Sequence, residues 1–186
     1  MKSLYRRTCR KFIQRDVEEN KLKHIIDAGR NAPTACDEQP IRFYVIKNKQ
    51  FIAKVARNCQ ETVFNLNPIL YEERMKRLGV QSILTYDCPC AIILTCDKSN
   101  NNTNTHFDVG FIAQNMLLAA SIEGLAAIPI GVITVVSDKW LDALHLETKI
   151  NKEEELLLMI AIGYGDEDYL STIEPKELKS KVVYHY

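Results

Sequence analysis

The chain has 186 residues, of which 46% are hydrophobic and 26% charged, as is typical of a globular protein with one domain and its own core. Its 24 basic and 24 acidic residues balance, so no overall field favours nucleic acid or an acidic membrane surface. The N-terminus lacks the apolar stretch of a secretory signal, and the longest apolar run, Leu125 to Val136, is too short to span a bilayer. We therefore expect a cytoplasmic protein with a single domain over residues 1–186.

The potential metal and thiol ligands are scattered along the chain. Six cysteines form no CxxC pair, and the closest spacing is the CPC of Cys88 and Cys90. Structural zinc and iron–sulfur sites usually need paired ligands, and disulfide frameworks are typical of secreted chains. His106 lies near Asp108, but no further ligand accompanies them. We predict free thiols and no metal site; a nucleophilic role for Cys36 stays open without support.

The basic N-terminal run stands out in a neutral chain. Arg6, Arg7, Arg10 and Lys11 place four cations within six positions. Guanidinium groups and the hydroxyl of Thr8 suit a phosphate, which accepts several hydrogen bonds at once. A solvated basic surface is the commoner cause of such a cluster, so the residues alone leave both interpretations open.

The first half of the chain contains alternating helix and strand patterns. Residues 16–19 predict a helix start with an acidic cap, and the following apolar stripe must end before Pro33. Alternating apolar residues over 41–45 predict a strand, and residues 51–57 a short helix. A short apolar strand is predicted over residues 91–95.

Residues 107–124 predict a helix that is apolar around most of its circumference, with one face of small side chains. Such a helix is normally buried on all sides, which predicts contact with a partner subunit as well as with its own sheet. A tightly packed core helix in a monomer is the alternative, because small side chains only permit close approach.

The second half adds strands over residues 125–132 and 156–162 and a helix over 137–146. The first of these strands turns near Pro129, where glycine follows two residues later and would let a ligand approach the backbone. Helices and strands alternate without a regular βαβ rhythm, so an α+β fold is favoured over a doubly wound sheet.

Several chemistries can be set aside. Gly163-Tyr164-Gly165 follows a strand, but the third glycine of a dinucleotide fingerprint would fall at Asp168, where an acid would repel a pyrophosphate. There is no P-loop and no GxSxG nucleophile elbow. The loop over residues 32–40 has a proline near each end, and it could present backbone groups and Gln39 to a planar ring or simply join a helix to a strand.

Four stretches, RRTCRKF, APTACDEQPIRF, DVGFIAQNMLLAASIEGLAAIPIG and IAIGYGDE, resemble in order and spacing the nitroreductase family of FMN-dependent oxidoreductases. The resemblance runs from Leu4 to Asp166. It implies an α+β fold with a central mixed or antiparallel sheet flanked by helices, in an intertwined homodimer with FMN at the interface. It also implies hydride transfer from NADH or NADPH through FMN to small electron-poor acceptors, such as nitroaromatics or quinones, in a ping-pong cycle.

The resemblance also implies which residues bind the cofactor, and it implies no catalytic acid or base because the flavin performs the hydride chemistry. The first run would hold the phosphate and ribityl chain, the loop would act across the interface, and the 129–131 segment would lie against the ring near N5. By position these residues are Arg6, Arg7, Thr8, Arg10, Pro33, Thr34, Ala35, Asp37, Gln39, Pro129, Ile130, Gly131 and, at the phosphate, Lys176.

The chain departs from the family pattern in places. Asp37 stands where asparagine is common, and an ionised carboxylate can only accept hydrogen bonds. We expect Asp37 to turn away from the ring or to pair with Arg42. Residues 55–87 match no part of the pattern, so the physiological acceptor stays hidden.

Two other classes of function remain open from the sequence. One is a non-catalytic flavin-binding protein with the same fold, and the other is a cofactor-free protein whose basic N-terminus binds a partner. Within the family, enone reduction, reductive dehalogenation and flavin breakdown are further activities that the sequence does not separate, and neither NADH nor NADPH is favoured.

Overall fold

The computed structural model describes residues 6–148 and 153–185, with side chains placed through Leu146 in the first range. The helices and strands in these ranges are α1 (Glu19–Arg30), β1 (Arg42–Ile46), α2 (Lys49–Phe64), α3 (Pro68–Leu78), β2 (Cys90–Asp97), α4 (Thr105–Ile122), β3 (Ala126–Ile130), α5 (Ser137–Thr148), β4 (Glu154–Gly163) and α6 (Glu167–Ser171). Short 3₁₀ segments cover Ala35–Asp37 and Gly131–Val136.

The four strands form one antiparallel sheet in the order β1-β2-β4-β3. The central strands β2 and β4 are apolar on both faces, and Ile92 lies opposite Ile160 in their register. Because side chains alternate along a strand, Ile92 and Leu94 pack into one layer while Ala91 and Ile93 pack into the other. The α+β fold with a helix-flanked antiparallel sheet is confirmed.

Each face of the sheet has its own core. Helices α1 and α4 cover one face, and α2, α5 and the 3₁₀ segment after β3 cover the other. Trp140 of α5 is fully buried and meets Phe51 of α2 edge to face, with ring centroids 6.4 Å apart. Large aromatic side chains contribute much of the burial in such a layer, so this pair fixes α5 against α2.

Helix α4 is the longest in the described part of the chain. It was predicted over residues 107–124 and ends earlier, because Gly124 takes φ +73° just after it. Its buried face packs on α1 and the sheet, but Phe107, Phe111 and Ile122 are 65%, 51% and 72% exposed. The helix is therefore apolar on a side that its own chain leaves uncovered.

Other boundaries differ from the predictions. Helix α1 begins at Glu19 and has no side-chain cap, so the predicted acidic cap is wrong; Asp16 instead forms an ion pair with Lys49. Helix α2 continues well past Arg57, because its apolar face repeats through Val63. Helix α3 was not predicted, since only Leu78 among its side chains is buried and the helix lacks the apolar stripe of a core helix.

The Gly-Tyr-Gly stretch at the end of β4 has a packing role. A Cβ on Gly163 would lie 2.6 Å from Cγ of Pro89, and one on Gly165 would lie 2.7 Å from Leu170. Close approach to Pro89 before β2 therefore accounts for Gly163, and close approach to Leu170 of α6 accounts for Gly165.

All six cysteines are free thiols, and five of them are buried. Burial raises the pKa of Cys90 to about 12, and it also raises the pKa of Cys88. Over residues 6–148 and 153–185, none of the helices combines the length and apolar character needed to cross a membrane.

Candidate functional site

The basic N-terminal run lies in extended form along β3. The backbone N–H of Cys9 donates to the carbonyl of Ala127 at 3.4 Å, and Nη2 of Arg6 donates to the same oxygen at 3.2 Å. Cys9, which belongs to this run, is fully buried. Burial, and to a lesser extent the neighbouring Arg7, lowers the pKa of Arg6. The run is therefore held at a defined place on the sheet edge.

A cavity of about 200 Å³, which we call the β3 cavity, opens beside this run. The lining residues are Arg10, Tyr71, Arg74, Ile83, Tyr86, Ile128, Pro129, Ile130, Gly131 and Val132. Nε of Arg10 is buried and has no hydrogen-bond partner in the described residues. Buried donors are rarely left unpaired, so this atom indicates that a hydrogen-bond acceptor belongs in the cavity.

The wall of the β3 cavity is built from the end of an edge strand. Pro129 lies opposite Ile160 in the register but sits on an edge strand, where its missing N–H can face away from the sheet. Gly131 then begins the 3₁₀ segment that turns the chain away from the sheet. The proline and aliphatic residues of this segment therefore form a mainly apolar wall of the cavity, which Arg10 also lines.

The opposite wall comes from α3 and the loop before β2. Tyr71 and Arg74 project from α3, and Nη1 of Arg74 donates to Oη of Tyr86 at 3.3 Å. The β3 cavity thus combines aromatic and aliphatic walls with two guanidinium groups. Such a lining suits a flat, mainly apolar ligand that carries acceptor oxygens.

The loop over residues 33–39 is rigid and exposed. The N–H of Ala35 donates to Oδ1 of Asp108 at 3.0 Å, which ties the loop to the first turn of α4. The N–H of Gln39 donates to Oγ1 of Thr34 at 3.2 Å, and Nε2 of Gln39 donates to Oδ1 of Asp37 at 2.8 Å.

Three non-glycine residues in this loop have left-handed backbones, namely Cys36, Asp37 and Gln39, with φ of 52°, 55° and 50°. Such conformations cost about 1–3 kcal/mol each and persist only where the surroundings impose them. A strained loop with exposed polar tips is typical of a recognition element.

The two candidate regions lie at opposite edges of the sheet. The 33–39 loop leads into β1, whereas the N-terminal run lies beside β3 and residues 129–131 span the end of β3 and the start of the 3₁₀ segment. Three inter-strand spacings separate β1 from β3, which is about 14 Å. No hydrogen bond or ion pair within the ranges 6–148 and 153–185 joins the loop to the run or to residues 129–131. One chain therefore holds two separate half-sites.

The sequence profile of the Nitroreductase family matches residues 4–164 of this chain. The chain belongs to the nitroreductase family. The match spans the sheet, both helical layers, the N-terminal run and both half-sites, so the predicted family is confirmed.

A curated relative from Methanothermobacter thermautotrophicus, "Putative NADH dehydrogenase/NAD(P)H nitroreductase", is 33% identical over 129 residues. That alignment covers 68% of this chain and 57% of the relative, so the chain spans little more than half of the relative's length.

Two crystal structures of nitroreductases with bound FMN share the fold. The one from Desulfitobacterium hafniense DCB-2 has a TM-score of 0.82 at 21% identity and covers 100% of this chain and 97% of its own. The one from Bacteroides fragilis NCTC 9343 has a TM-score of 0.80 at 17% identity, with the same coverage of both chains. These similarities show a common nitroreductase fold over the whole chain.

Several residues that were expected to form one cofactor-binding site do not lie together in the structure. Lys11 forms an ion pair with Asp166 at 3.4 Å, and Arg7 is exposed and lines a separate cavity with Lys11 and Arg77. The four N-terminal cations therefore do not all face the β3 cavity; Arg10 lines it, and Arg6 is held next to it. Lys176 is exposed after α6, outside the helices and strands.

Of the two alternatives for Asp37, pairing with Arg42 is wrong. Nη1 of Arg42 contacts Oε1 of Glu154 at 2.9 Å, and Nη2 contacts Oδ2 of Asp97 at 3.6 Å. Asp37 is exposed and accepts from Gln39 instead. The buried carboxylate of Glu154 is the nearer partner for Arg42, because β1 and β4 flank β2 and bring the two side chains to the same sheet face.

Tyr71, Arg74 and Tyr86 were not predicted as cavity residues. Two signals for α3, the helix that carries Tyr71 and Arg74, were nevertheless present. Asn67 caps the start of α3 through its side chain, with Pro68 following, and Gly79 ends the helix with φ +66°. Which face of α3 would meet the cavity depends on tertiary packing.

Proposed function

We propose that this nitroreductase-family protein is an FMN-dependent oxidoreductase and that it works as a homodimer. The observation that carries the proposal is the unpaired Nε of Arg10 in the β3 cavity, beside the 129–131 segment. A flavin offers both a planar apolar ring and acceptor oxygens, so the residues present fit the cofactor. Arg6, Thr8 and Arg10 would hold its phosphate and ribityl chain.

When bound, FMN would accept a hydride from NADH or NADPH and pass it to an oxidised acceptor in a ping-pong cycle. The chain's own residues would bind the flavin and orient it. Pro129, Ile130 and Gly131 would provide the flat wall for the ring, and Arg74 would add a second cation at the cavity. No side chain is assigned as a catalytic acid or base.

The homodimer is supported by the incompleteness of the site in one chain. The β3 cavity, at about 200 Å³, is smaller than the roughly 300–1,000 Å³ of complete ligand pockets. The 33–39 loop lies at the other sheet edge with its polar tips exposed. A second copy would place Thr34, Asp37 and Gln39 over the open side of the β3 cavity.

The exposed face of α4 supplies a contact surface for that second copy. Phe107, Phe111 and Ile122 would be covered there, and burying apolar area contributes about 25 cal/mol per Å². The 33–39 loop is tied to the first turn of the same helix through Asp108. Docking through α4 would therefore also position the loop.

The acceptors we propose are small, planar and electron-poor, such as nitroaromatics and quinones. The aromatic side chains of Tyr71 and Tyr86 favour flat substrates. Enone reduction and reductive dehalogenation are related activities of the same site, and turnover with a panel of acceptors would separate them.

The test compares two double variants that each remove two cations. Arg6→Gln/Arg10→Gln should give folded protein with little bound flavin, measured from the visible absorbance of the purified protein after reconstitution with FMN. Lys54→Gln/Arg57→Gln on α2 is the matched control and should remain yellow, since neither residue lines the β3 cavity. An Arg6→Gln/Arg10→Gln protein that binds FMN as well as the unchanged chain would refute the phosphate assignment.

A non-catalytic flavin-binding protein is the second candidate, and Asp37 is the observation in its favour. A carboxylate near the ring would oppose the negative charge of reduced flavin. Consumption of NADH or NADPH with an added quinone would reject this candidate, whereas flavin that stays oxidised under excess of both would support it. A protein that never takes up flavin would instead favour a cofactor-free binding role.

A further inference from the structure

A larger cavity lies on the other side of the 81–88 loop, and we call it the α2 cavity. It has a volume of about 640 Å³ and lies between Gln14, the N-terminal half of α2 and the 81–88 loop. It shares no lining residue with the β3 cavity. Its volume lies within the roughly 300–1,000 Å³ of small-molecule pockets, so it can hold a complete ligand within one chain.

The α2 cavity carries an excess of positive charge. Lys49, Lys54 and Arg57 line it, and Asp87 is the one acid among its lining residues. Lys49 is already paired with Asp16, but Lys54 and Arg57 make no ion pair or hydrogen bond within the described ranges. In a chain whose net charge is zero, this concentration of cations is local.

The positions of these cations are unusual for the N-terminal part of a helix. Acidic side chains favour the first turn of a helix because its N-terminal end is positive, yet the first turn of α2 has no acid and begins with Lys49. Lys54 and Arg57 follow within the next two turns and face the same cavity. Sequences that break a local rule in this way often do so at functional sites, and a bound anion would relieve the repulsion.

The loop opposite α2 is held by hydrogen bonds to Asp87. Oδ2 of Asp87 accepts from the N–H of Gln81 at 2.7 Å, and the carbonyl of Asp87 accepts from Nε2 of Gln14 at 2.7 Å. Tyr86 and Asp87 both have φ of 51°, a strained pair of backbones held by these bonds. The half-buried Asp87 carboxylate is an acceptor that suits hydroxyl groups rather than a second anion.

We propose that the α2 cavity is a second ligand site, which takes a small organic phosphate with hydroxyl groups. The phosphate would bind to Lys54 and Arg57, and the hydroxyl groups would bind to Asp87 and to the side-chain amides that line the cavity. Guanidinium and ammonium groups meet phosphate oxygens with strong charge-assisted hydrogen bonds. A nucleoside monophosphate is of the right size and chemistry. This site does not depend on the flavin proposal.

The test is a calorimetric titration of FMN-loaded protein, freed of unbound FMN, with adenosine 5′-monophosphate, and adenosine is the uncharged comparison. We expect saturable binding of one nucleotide per chain and much weaker binding of adenosine. Lys54→Gln/Arg57→Gln should weaken nucleotide binding by about tenfold or more, because two charge-assisted contacts are lost. Lys23→Gln/Arg30→Gln on α1 removes the same charge outside the cavity and should leave the affinity unchanged.

Three results would overturn the proposal. The first is the absence of saturable binding at millimolar nucleotide. The second is an equal loss of affinity in the Lys23→Gln/Arg30→Gln control, which would indicate non-specific attraction. The third is a loss of binding in Arg10→Gln but not in Lys54→Gln/Arg57→Gln, which would place the phosphate in the β3 cavity. If the purified protein holds no flavin, the same titration without FMN still tests the α2 cavity.

Discussion

The backbone N–H of Ala35 donates a 3.0 Å hydrogen bond to Oδ1 of Asp108, a side chain that is only 2% exposed. This bond links the strained 33–39 loop to the first turn of α4, whose far side carries exposed apolar residues. Oδ2 of Asp108 has no hydrogen-bond partner among the residues that the structure describes. The loop and the helix that carries the proposed subunit contact are therefore joined through one buried carboxylate.

Replacing Asp108 tests whether this link positions the loop for flavin binding. Asp108→Ala should weaken FMN binding by about tenfold, because losing one buried hydrogen bond to a charged group leaves the loop unanchored. Asp108→Asn keeps an acceptor oxygen and should restore most of the affinity. Flavin fluorescence during FMN titration gives both dissociation constants.

The matched control for this prediction is Asp138→Ala, which removes an exposed acid from the first turn of α5. It should bind FMN like the unchanged chain. If Asp108→Ala also binds FMN normally while remaining folded by circular dichroism, the loop does not need this anchor.

The elements with long apolar stretches were predictable and the cavity was not. The strand predicted over residues 156–162 is β4, and the helix predicted over 107–124 is α4, because each is apolar over most of its length. Helix α3 is mostly exposed, so its pattern gave no such signal. Arg74 reaches the β3 cavity only through packing of α3 against the 81–88 loop, which local sequence does not specify.

The exposed apolar face of α4 predicts the effect of a charge at the proposed subunit contact. Phe111→Glu should convert the proposed dimer into monomers and lower FMN affinity, because an ionised carboxylate cannot be buried against an apolar surface without a partner. Light scattering after size-exclusion chromatography measures the mass in solution.

Leu146→Glu is the control for this substitution, since Leu146 is 85% exposed on α5, away from the proposed contact. It should leave the mass and the FMN affinity unchanged. A Phe111→Glu protein with the mass of a dimer would show that α4 is not the contact surface.

The buried carboxylate of Glu154 predicts a stability effect at the β1–β2 edge. Oη of Tyr44 donates to Oε1 of Glu154 at 2.8 Å, and Oγ1 of Thr95 donates to Oε2. Burial, followed by the hydrogen bond to Glu154, raises the pKa of Tyr44 to about 12. Tyr44→Phe and Thr95→Val should each lower the free energy of unfolding by about 1–3 kcal/mol, since each leaves the carboxylate less satisfied.

Urea unfolding of both single variants and the double variant gives the coupling between the two donors. We expect the effects to be non-additive, because both donors serve one carboxylate. Tyr169→Phe is the control and should change stability by less than about 0.5 kcal/mol, since its hydroxyl has no hydrogen bond to any of the described residues. Full additivity, or a Tyr44→Phe variant as stable as the unchanged chain, would contradict the network.

Asp87 predicts how stability depends on pH. Burial raises its pKa above the ordinary 3.8, although the N–H groups of Gln81 and Ser82 oppose the shift. The folded chain thus holds this proton more tightly than the unfolded chain does. The contribution of Asp87 to the free energy of unfolding therefore falls as the pH rises from 3.8 through the raised pKa of the folded chain. At neutral pH this contribution stays low.

Asp87→Asn removes the charge and keeps an oxygen that can accept from Gln81. The variant should therefore be more stable than the unchanged chain at neutral pH, and its advantage should shrink as the pH falls toward 3.8. Melting temperatures across this range measure the difference, with Asp138→Asn as an exposed control that should show no such trend. Attraction from the lining cations Lys49, Lys54 and Arg57 acts in the opposite direction. An advantage that grows on acidification would mean that these cations outweigh burial at Asp87.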